Sequence, residues 1–388
     1  MNLFDGPDPR SGAESLADHE RRLGPLPTAR TDLIPAIERS GLLGRGGAWF
    51  PVGTKWRSVA ARSRGAAVVL ANGAEGEPLS RKDQVLMWSR PHLVLDGARL
   101  AADVVGADRV VLYVGEEHRA AAASLARALA ERPAAQRRGF SMLAAPARYV
   151  AGEESAAVYF VNQGVALPTA TPPRPYERGV GGRPTLVQNV ESLAQAALVA
   201  RGGRAGTVLL TVAGAVRRPG VVEVPAGTTV REAVGRSGGA SGPPRAVLLG
   251  GYFGVWLEVG EAWQLPLDPA AVRAAGGSLG CGVLSVLPAA ASPVEEIARV
   301  MSTLAGESAA QCGPCFFGLR ALAGACGRLA ERRPEPEDLD RLQRWSAEVR
   351  GRGACRHPDG AAVFLQSALR VFAHEFAVAG AGVRRRAA

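Results

Sequence analysis

The sequence has 388 residues, of which 47% are hydrophobic and 21% charged, and its formal net charge is +10. This length and composition predict a folded chain of about two to four domains and exclude an intrinsically disordered protein. The basic residues are scattered and no aromatic stripe accompanies them, so nucleic acid is not an expected partner.

No apolar stretch predicts a membrane span. The longest uncharged run, from Gly276 to Val294, is rich in Gly, Pro and small residues. The N-terminal segment carries Asp5 and Asp8 and lacks the apolar core of a secretory signal. We therefore expect a cytoplasmic protein without direct membrane insertion.

The first half of the chain predicts a layered domain. Residues 1–30 are rich in Pro, Gly and charged residues, and we expect them to form a flexible N-terminal tail. Beyond them, buried strands alternate with helices, which favours a Rossmann-like α/β domain over residues 31–203. The expected strands cover residues 66–71 and 109–114, and the expected helices cover residues 32–43, 91–105 and 116–131.

The pattern changes near residue 204. Short apolar segments and a turn at Arg218-Pro219-Gly220 predict a small β-grasp, ubiquitin-like domain over residues 204–290. A helical bundle is expected over residues 291–380, followed by a basic tail over residues 381–388. The expected helices of the bundle cover residues 293–304, 316–330, 336–349 and 360–376.

A glycine-rich segment from Gly44 to Trp56 is the first candidate for binding chemistry. Glycines let backbone N–H groups approach an anion closely, and Lys55 can neutralise a phosphate. Only Lys55 and Lys82 are lysines among 46 basic residues, which suggests that a compact charge is needed at both positions. A purely structural glycine turn is the alternative.

Three polar segments offer further ligand-binding groups. Asn72, Glu75 and Glu77 follow a predicted strand, where ligands gather in open α/β sheets. Glu153 and Glu154 stand near a helix start, and Asn189 follows a proline-containing turn. These side chains can bond a ring system or sugar hydroxyls, although a solvated acidic turn and helix-dipole partners explain them equally well.

The five cysteines are unevenly placed. Cys312 and Cys315 have C-x-x-C spacing, and Cys355 follows 40 residues later, which suits iron–sulfur ligation. An odd cysteine count in a large chain argues against a disulfide framework. Cys281 and Cys326 are expected to be packed small residues.

Taken in order, these segments resemble the NADH-binding flavoprotein subunit of respiratory complex I and the related diaphorase subunits of hydrogenases and formate dehydrogenases. The resemblance covers roughly residues 34–376. The resemblance implies an FMN-binding Rossmann-like domain, a soluble-ligand-binding β-grasp (SLBB) domain and an iron–sulfur helical bundle. In the family, the glycine-rich loop holds the FMN phosphate and borders the nicotinamide site. The implied cofactor-binding residues are Gly44, Arg45, Gly46, Gly47, Phe50, Lys55, Asn72, Glu75, Glu77, Tyr149, Gly152, Glu153, Glu154 and Asn189.

The cluster motif departs from the family pattern. The position of the first cysteine ligand is occupied by Ala309, so only Cys312, Cys315 and Cys355 match. His357 is a candidate fourth ligand of a 4Fe–4S cluster, and Glu307, Gln311 or water are the alternatives. A 3Fe–4S cluster, which needs no fourth ligand, is the other possibility. A Cys3His zinc site is the non-redox alternative.

The nucleotide site departs as well. Ala74 replaces the family Asp, Trp49 replaces a loop glycine, and Ser58 replaces an aromatic residue. A family Lys and a family Phe are Thr171 and Arg174 here. These changes remove some of the side chains expected to contact a dinucleotide, while Phe50 is retained.

The resemblance implies an oxidoreductase that passes electrons from NAD(P)H through FMN to an iron–sulfur cluster. The expected partners are other redox subunits or a ferredoxin-type protein. Two alternatives remain open at this point. One is a degenerate subunit that no longer binds NADH, and the other is a zinc-stabilised ligand-binding module.

Overall fold

The computed structural model describes residues 1–28 and 32–381. The predicted basic tail, 381–388, lies outside the described residues except for Ala381. The helices are α1 Leu16–Leu23, α2 Leu33–Arg39, α3 Val52–Ser63, α4 Lys82–Ser89, α5 Pro91–Val105, α6 Arg119–Glu131, α7 Ala134–Arg137, α8 Glu154–Gln163, α9 Val190–Ala200, α10 Val230–Arg236, α11 Val259–Ala262, α12 Pro269–Ala274, α13 Pro293–Gly306, α14 Arg320–Ala330, α15 Asp338–Glu348, α16 His357–Val371 and α17 Ala373–Gly380. The strands are β1 Ala67–Gly73, β2 Ala107–Gly115, β3 Phe140–Ala145, β4 Thr185–Asn189, β5 Thr207–Gly214, β6 Gly220–Pro225, β7 Pro244–Leu249, β8 Val255–Glu258 and β9 Val283–Pro288.

The described chain forms two compact units. The first consists of Met1–Thr211 with Val221–Ala226, and the second of Val212–Gly220 with Gly227–Ala388. Strand β5 passes from the first unit into the second. Each unit is built around its own buried side chains.

A parallel four-stranded sheet organises the first unit. Its strand order is β3-β2-β1-β4, and β1 pairs in parallel with both β2 and β4. Strand β1 is buried along nearly its whole length, as a continuous apolar run in a parallel sheet requires. Val69 and Leu112 pack into a larger apolar cluster with α5 and α9, while Val68 and Val111 pack on the other face near α8. This arrangement confirms the expected α/β fold class.

The N-terminal segment differs from the flexible tail that its composition predicts. Residues 1–28 contain α1, and Leu3 and His19 are almost fully buried. His19 Nε2 lies 2.9 Å from Asp96 Oδ2 on α5, and the Leu3 and Phe4 amides donate to Glu223. Long-range polar contacts therefore order a segment whose local sequence is loop-like.

The second unit combines strands with helices. Strand β7 pairs antiparallel with both β8 and β9. Thr229 and Glu232 form a capping box at the start of α10. This part matches the expected small β domain followed by helices.

The helical region shows two breaks that the sequence pattern did not predict. The segment expected as one helix over 316–330 begins with a π-helical turn at Pro314–Leu319, and α14 starts only at Arg320. The segment expected as one helix over 360–376 is interrupted at Phe372, where α16 ends and α17 follows. Across the part of the chain that the structure describes, no single helix has the length and apolar character of a membrane span. The bent pair α16 and α17 reaches that length and composition only when its two helices are taken together.

Candidate functional site

The polar segments singled out by the sequence meet at the carboxyl edge of the parallel sheet. Asn72 at the end of β1 is the register partner of Asn189 at the end of β4. Asn72 Nδ2 donates to the Gly152 carbonyl over 2.9 Å. Asn189 Oδ1 accepts from the backbone amide of Glu191 and caps α9. Parallel strands place their carboxyl ends together, which explains the meeting of these segments.

The glycine-rich segment folds against the start of α9. The Gly44 amide donates to the Phe50 carbonyl over 2.8 Å, and the Arg45 amide donates to Ser192 Oγ over 2.8 Å. A Cβ atom on Gly46 would lie 3.2 Å from Cβ of Asn189, so a side chain there would press on the neighbouring segment. Gly47 has a φ of +109° and faces open space, which leaves backbone next to a free volume.

Trp49 occupies the loop position where the family has glycine. Its φ is +54°, and its side chain is 8% exposed. The Arg45 guanidinium lies 4.4 Å from the centre of the indole ring. The indole therefore packs onto Arg45, while the neighbouring Phe50 is 53% exposed.

Lys55 and Glu154 join two of the expected cofactor-binding segments. Lys55 Nζ lies 2.8 Å from Glu154 Oε2, and Arg174 Nη1 lies 3.9 Å from Glu154 Oε1. Glu153 caps α8 by accepting from the amide of Ala156. The two carboxylates therefore differ: Glu153 fixes a helix start, and Glu154 binds the lysine.

Tyr149 and Glu77 form a second link between segments. The Tyr149 hydroxyl donates to Glu77 Oε2 over 2.8 Å. A Cβ atom on Gly76 would lie 2.7 Å from the Tyr149 carbonyl, so the acidic loop and the segment before α8 are in close contact. The expected residues from Gly44 to Asn189 are thus brought together by contacts between four chain segments.

A group of buried ionisable side chains lies next to this edge, and we call it the buried charge cluster. It consists of Arg45, Glu75, Lys82, Asp83 and Glu191. Lys82 Nζ lies 2.7 Å from Asp83 Oδ1 and 2.9 Å from Glu191 Oε2. Burial alone would lower the pKa of Lys82. The negative charges of Asp83 and Glu191 outweigh this effect, so the pKa of Lys82 is raised.

Glu75 lies at one end of the buried charge cluster. Its carboxylate accepts from the amides of Asp83 and Gln84, each over 3.1 Å, and from the Ser80 hydroxyl. Burial and the neighbouring Asp83 raise the pKa of Glu75 to about 7. Lys82, Asp83 and Glu191 were not among the expected cofactor-binding residues, although the scarcity of lysine and the resemblance to the family motifs had drawn attention to their segments.

Three of the cysteines, Cys312, Cys315 and Cys355, lie close enough for the other two to affect the pKa of Cys315. Burial, followed by Cys312 and Cys355, raises the pKa of the Cys315 thiol to about 12, and the thiol is hydrogen-bonded with Cys312 and Ser308. Cys326 is fully buried in α14, as a packed small residue should be. Cys281 lies in the small β domain, with Sγ 3.9 Å from the Gly250 carbonyl.

His357 lies at the start of α16, two residues after Cys355. Its Nε2 is 2.7 Å from the Leu304 carbonyl, and its ring packs edge-on against Phe253 with 5.2 Å between ring centres. Burial lowers the pKa of His357, which favours neutral imidazole. Within residues 1–28 and 32–381, no group of three or more His, Cys, Asp or Glu side chains is arranged to hold a metal ion.

Comparison with known proteins gives three matching family models. They are the Nuo51 FMN-binding domain at residues 37–198, the SLBB domain at residues 209–251, and the NADH-ubiquinone oxidoreductase-F iron-sulfur binding region at residues 295–379. The F 2 subunit of the NADH-quinone oxidoreductase of Rhizobium meliloti is 30% identical over 370 residues, which cover 89% of this chain and 88% of the relative. This chain belongs to the family of NADH-quinone oxidoreductase F subunits.

Other relatives give the same result. The F subunit of the Mycobacterium bovis NADH-quinone oxidoreductase is 32% identical, with 89% of this chain and 84% of the relative covered. The Escherichia coli F subunit is 30% identical, with 89% and 83% covered. The crystal structure of an NAD+-reducing [NiFe]-hydrogenase in the H2-reduced state is 28% identical with a TM-score of 0.82, and the match covers 90% of this chain but only 63% of that chain.

Membership of this family confirms the expected oxidoreductase class, the FMN and iron–sulfur cofactors and the SLBB domain. The residues present fit FMN, because the backbone at Gly47 borders open space and the neighbouring segments supply a lysine and two capped helix starts. They fit an iron–sulfur cluster in part, because three thiols suit iron but Ala309 supplies no ligand.

Proposed function

We propose that this chain is the electron-input subunit of a larger oxidoreductase, which accepts electrons from NAD(P)H at FMN and delivers them through an iron–sulfur cluster to a redox partner. The observation that carries this proposal is the convergence of the segments around Lys55, Asn72, Glu154 and Asn189 at the carboxyl edge of the sheet. When bound, FMN accepts a hydride and releases single electrons.

The chain holds FMN through charge and hydrogen bonding. Lys55 would supply the point charge for the phosphate, and the backbone at Gly47, which borders open space, would let N–H groups bind it. Glu154, which pairs with Lys55 at 2.8 Å, would accept hydrogen bonds from sugar hydroxyls once the phosphate takes its place beside the lysine. Asn72 contributes an amide that is oriented by its bond to Gly152.

Aromatic and cationic side chains bind the dinucleotide at the rim of this site. Phe50 is 53% exposed and offers a stacking surface for a base or a nicotinamide ring. Arg174, 3.9 Å from Glu154, adds a positive charge at the rim. It partly offsets the lost family Lys at Thr171.

Cys312, Cys315 and Cys355 would hold the cluster as thiolates. His357 would supply the fourth ligand through Nδ1, because its Nε2 bonds to the Leu304 carbonyl. Such a bond from the outer ring nitrogen to a carbonyl is typical of histidine ligands. The cluster then has three sulfur ligands and one nitrogen ligand.

The partner is an acidic, ferredoxin-type protein or another redox subunit in the cytoplasm. Next to Cys315, Phe317 is 72% exposed and packs edge-on with Phe316 at 4.8 Å between ring centres. The Arg320 guanidinium lies 4.6 Å from the Phe316 ring. An exposed aromatic pair bordered by arginine is typical of a docking surface for an acidic protein.

A degenerate subunit that retains the fold but binds no NADH is the second candidate. The packing of Trp49 onto Arg45 favours it, because the indole occupies a loop that the family leaves open. Ser58, Thr171 and Arg174 remove further family contacts. In that case FMN and iron are present, but NADH does not reduce them.

Anaerobic purification followed by quantification of FMN, iron and zinc tests the proposal. We expect FMN, at no more than about one per chain, together with iron and inorganic sulfide, and an electron spin resonance signal after chemical reduction. Protein that contains equimolar zinc and no iron would instead support the zinc-stabilised module. Colourless protein that fails to take up added FMN would overturn the flavin assignment.

A further inference from the structure

The buried charge cluster has more acids than bases. Glu75, Asp83 and Glu191 face only Lys82 and Arg45, and all five are less than about one-tenth exposed. With every group ionised, the cluster carries one uncompensated negative charge. Burial makes such a charge costly, so one of the acids binds a proton instead.

The ion pairs indicate which acid carries that proton. Asp83 and Glu191 both contact Lys82 within 3 Å, and Glu191 Oε1 is also 3.6 Å from Arg45 Nε. Glu75 forms no ion pair among the described residues and is held by the Ser80 hydroxyl and two backbone amides. Glu75 is therefore the acid with least charge compensation.

The groups around the cluster supply no further cation to Glu75. Burial lowers the pKa of His118, so this neighbour of Asp83 stays neutral. Burial also raises the pKa of Glu223, a neighbour of Glu191 that adds negative charge. Other charged or titratable groups on the adjoining segments include Glu77, Arg81, Glu117, Arg148 and Tyr149. Glu77 accepts from Tyr149, Arg81 Nη1 donates to the Pro78 and Ser80 carbonyls, and neither arginine forms an ion pair with Glu75 among the described residues.

We propose that Glu75 carries the proton of the buried charge cluster and exchanges it with solvent as the charge in the neighbouring cofactor site changes. The second part of this inference, the exchange linked to the cofactor site, rests on the proposed function. Asp83 Oδ2 accepts from Asn189 Nδ2 over 2.7 Å, which joins the cluster to the cofactor site. The step moves one proton and no electrons: the carboxyl O–H bond breaks to leave a carboxylate and a solvent proton.

An anion in the cofactor site strengthens proton binding at Glu75. The phosphate of FMN adds negative charge near a cluster that already has an excess of it, so the protonated form of Glu75 becomes more favourable. FMN binding therefore takes up protons when the pH is near or above neutral. The affinity for FMN falls by up to about tenfold per pH unit once Glu75 is ionised in the free protein.

Infrared spectroscopy of the cofactor-free protein tests the first half directly. Between about pH 5 and about pH 9 we expect the carbonyl stretching band of one protonated carboxyl group to disappear with an apparent pKa near neutrality. The band should be missing in Glu75→Gln and retained in Glu223→Gln, a second buried glutamate next to Glu191. A band retained in Glu75→Gln, or lost in Glu223→Gln, overturns the assignment.

Carbon-13 NMR of wild-type protein labelled at the glutamate carboxyl carbons keeps the proposal testable even if Glu75→Gln does not fold. One resonance should titrate near neutral pH, and the absence of such a resonance contradicts the proposal. Calorimetric titration with FMN in two buffers of different ionisation enthalpy measures the linked proton. We expect net uptake in wild type and none in Glu75→Gln, and equal uptake in both contradicts the linkage. Failure of FMN to bind would refute the proposed function, while the infrared and NMR results would still decide the proton site.

Discussion

Lys55 Nζ donates to Glu154 Oε2 over 2.8 Å, although 99 residues separate the two in the chain. The contact joins Lys55, near the start of α3, to the start of α8. Both side chains are partly exposed, at 26% and 31%, so the pair contributes at most about 1 kcal/mol to the free energy of unfolding. We therefore expect this pair to serve binding rather than stability.

Lys55→Met should weaken FMN binding by about 10- to 100-fold, because a charge-assisted hydrogen bond to phosphate is lost. Thermal stability of the cofactor-free protein should hardly change. Quenching of FMN fluorescence measures the affinity. The matched control is Arg57→Met on the same helix, which breaks an exposed pair with Glu38 and should leave the affinity unchanged. Equal losses in both variants would show that the effect is not local.

Trp49→Gly should raise the FMN content of the purified protein. Glycine adopts the +54° φ without the cost of about 1 kcal/mol that a side chain incurs, and the indole no longer fills the loop. Arg64→Gly is the control, because Arg64 has a φ of +47° at the end of α3. Arg64→Gly should raise the melting temperature without changing FMN content. An unchanged FMN content in Trp49→Gly would mean that the indole leaves room for the flavin.

Cys312→Ser and Cys355→Ser should each lose most of the bound iron, since removal of one of three thiolates leaves too few ligands for a cluster. Cys281→Ser should retain it, because Cys281 lies in the small β domain. Iron and sulfide analysis after anaerobic purification provides the measurement. Equal iron content in all three variants would place the cluster elsewhere.

Asp96→Asn should destabilise the first unit by about 3–5 kcal/mol, because it leaves Arg132 and Arg201 buried without their carboxylate. Denaturant unfolding gives the free energy. The exposed Asp18→Asn, which breaks a pair with Arg21, is the control and should cost less than about 1 kcal/mol.

The ionisation of Asp96 should also determine how the free energy of unfolding falls at low pH. Burial alone would raise its pKa, but His19, Arg132 and Arg201 hold the pKa at about 2, below the usual 3.8. The stabilisation is therefore complete above about pH 4 and is lost as the pH falls towards 2. Wild type should lose stability steeply over this range, and Asp96→Asn should show a shallower slope. Parallel slopes for the two proteins would contradict this account.

Much of the fold follows from local patterns. The apolar run that forms β1 and the glycine-rich segment before α3 are visible in the sequence, and parallel pairing then places Asn72 opposite Asn189. Such features depend on residues close together in the chain. The order of segments also indicated the cofactor classes.

The remaining features depend on contacts that sequence patterns do not show. Residues 1–28 are held in place by the hydrogen bond between His19 and Asp96 and by the bonds from the Leu3 and Phe4 amides to Glu223. Lys82 has the composition signal expected of a ligand-binding lysine, yet it lies buried between Asp83 and Glu191. Long-range charge pairing of this kind requires the tertiary structure.

Anaerobic titration of the purified protein with NADH tests the central claim most directly. The account predicts that the flavin absorption band bleaches and that a reduced-cluster spin signal appears with it, both reversed by an added electron acceptor. A flavin band that persists in the presence of NADH, but bleaches with dithionite, would contradict the claim that this chain accepts electrons from a nicotinamide donor.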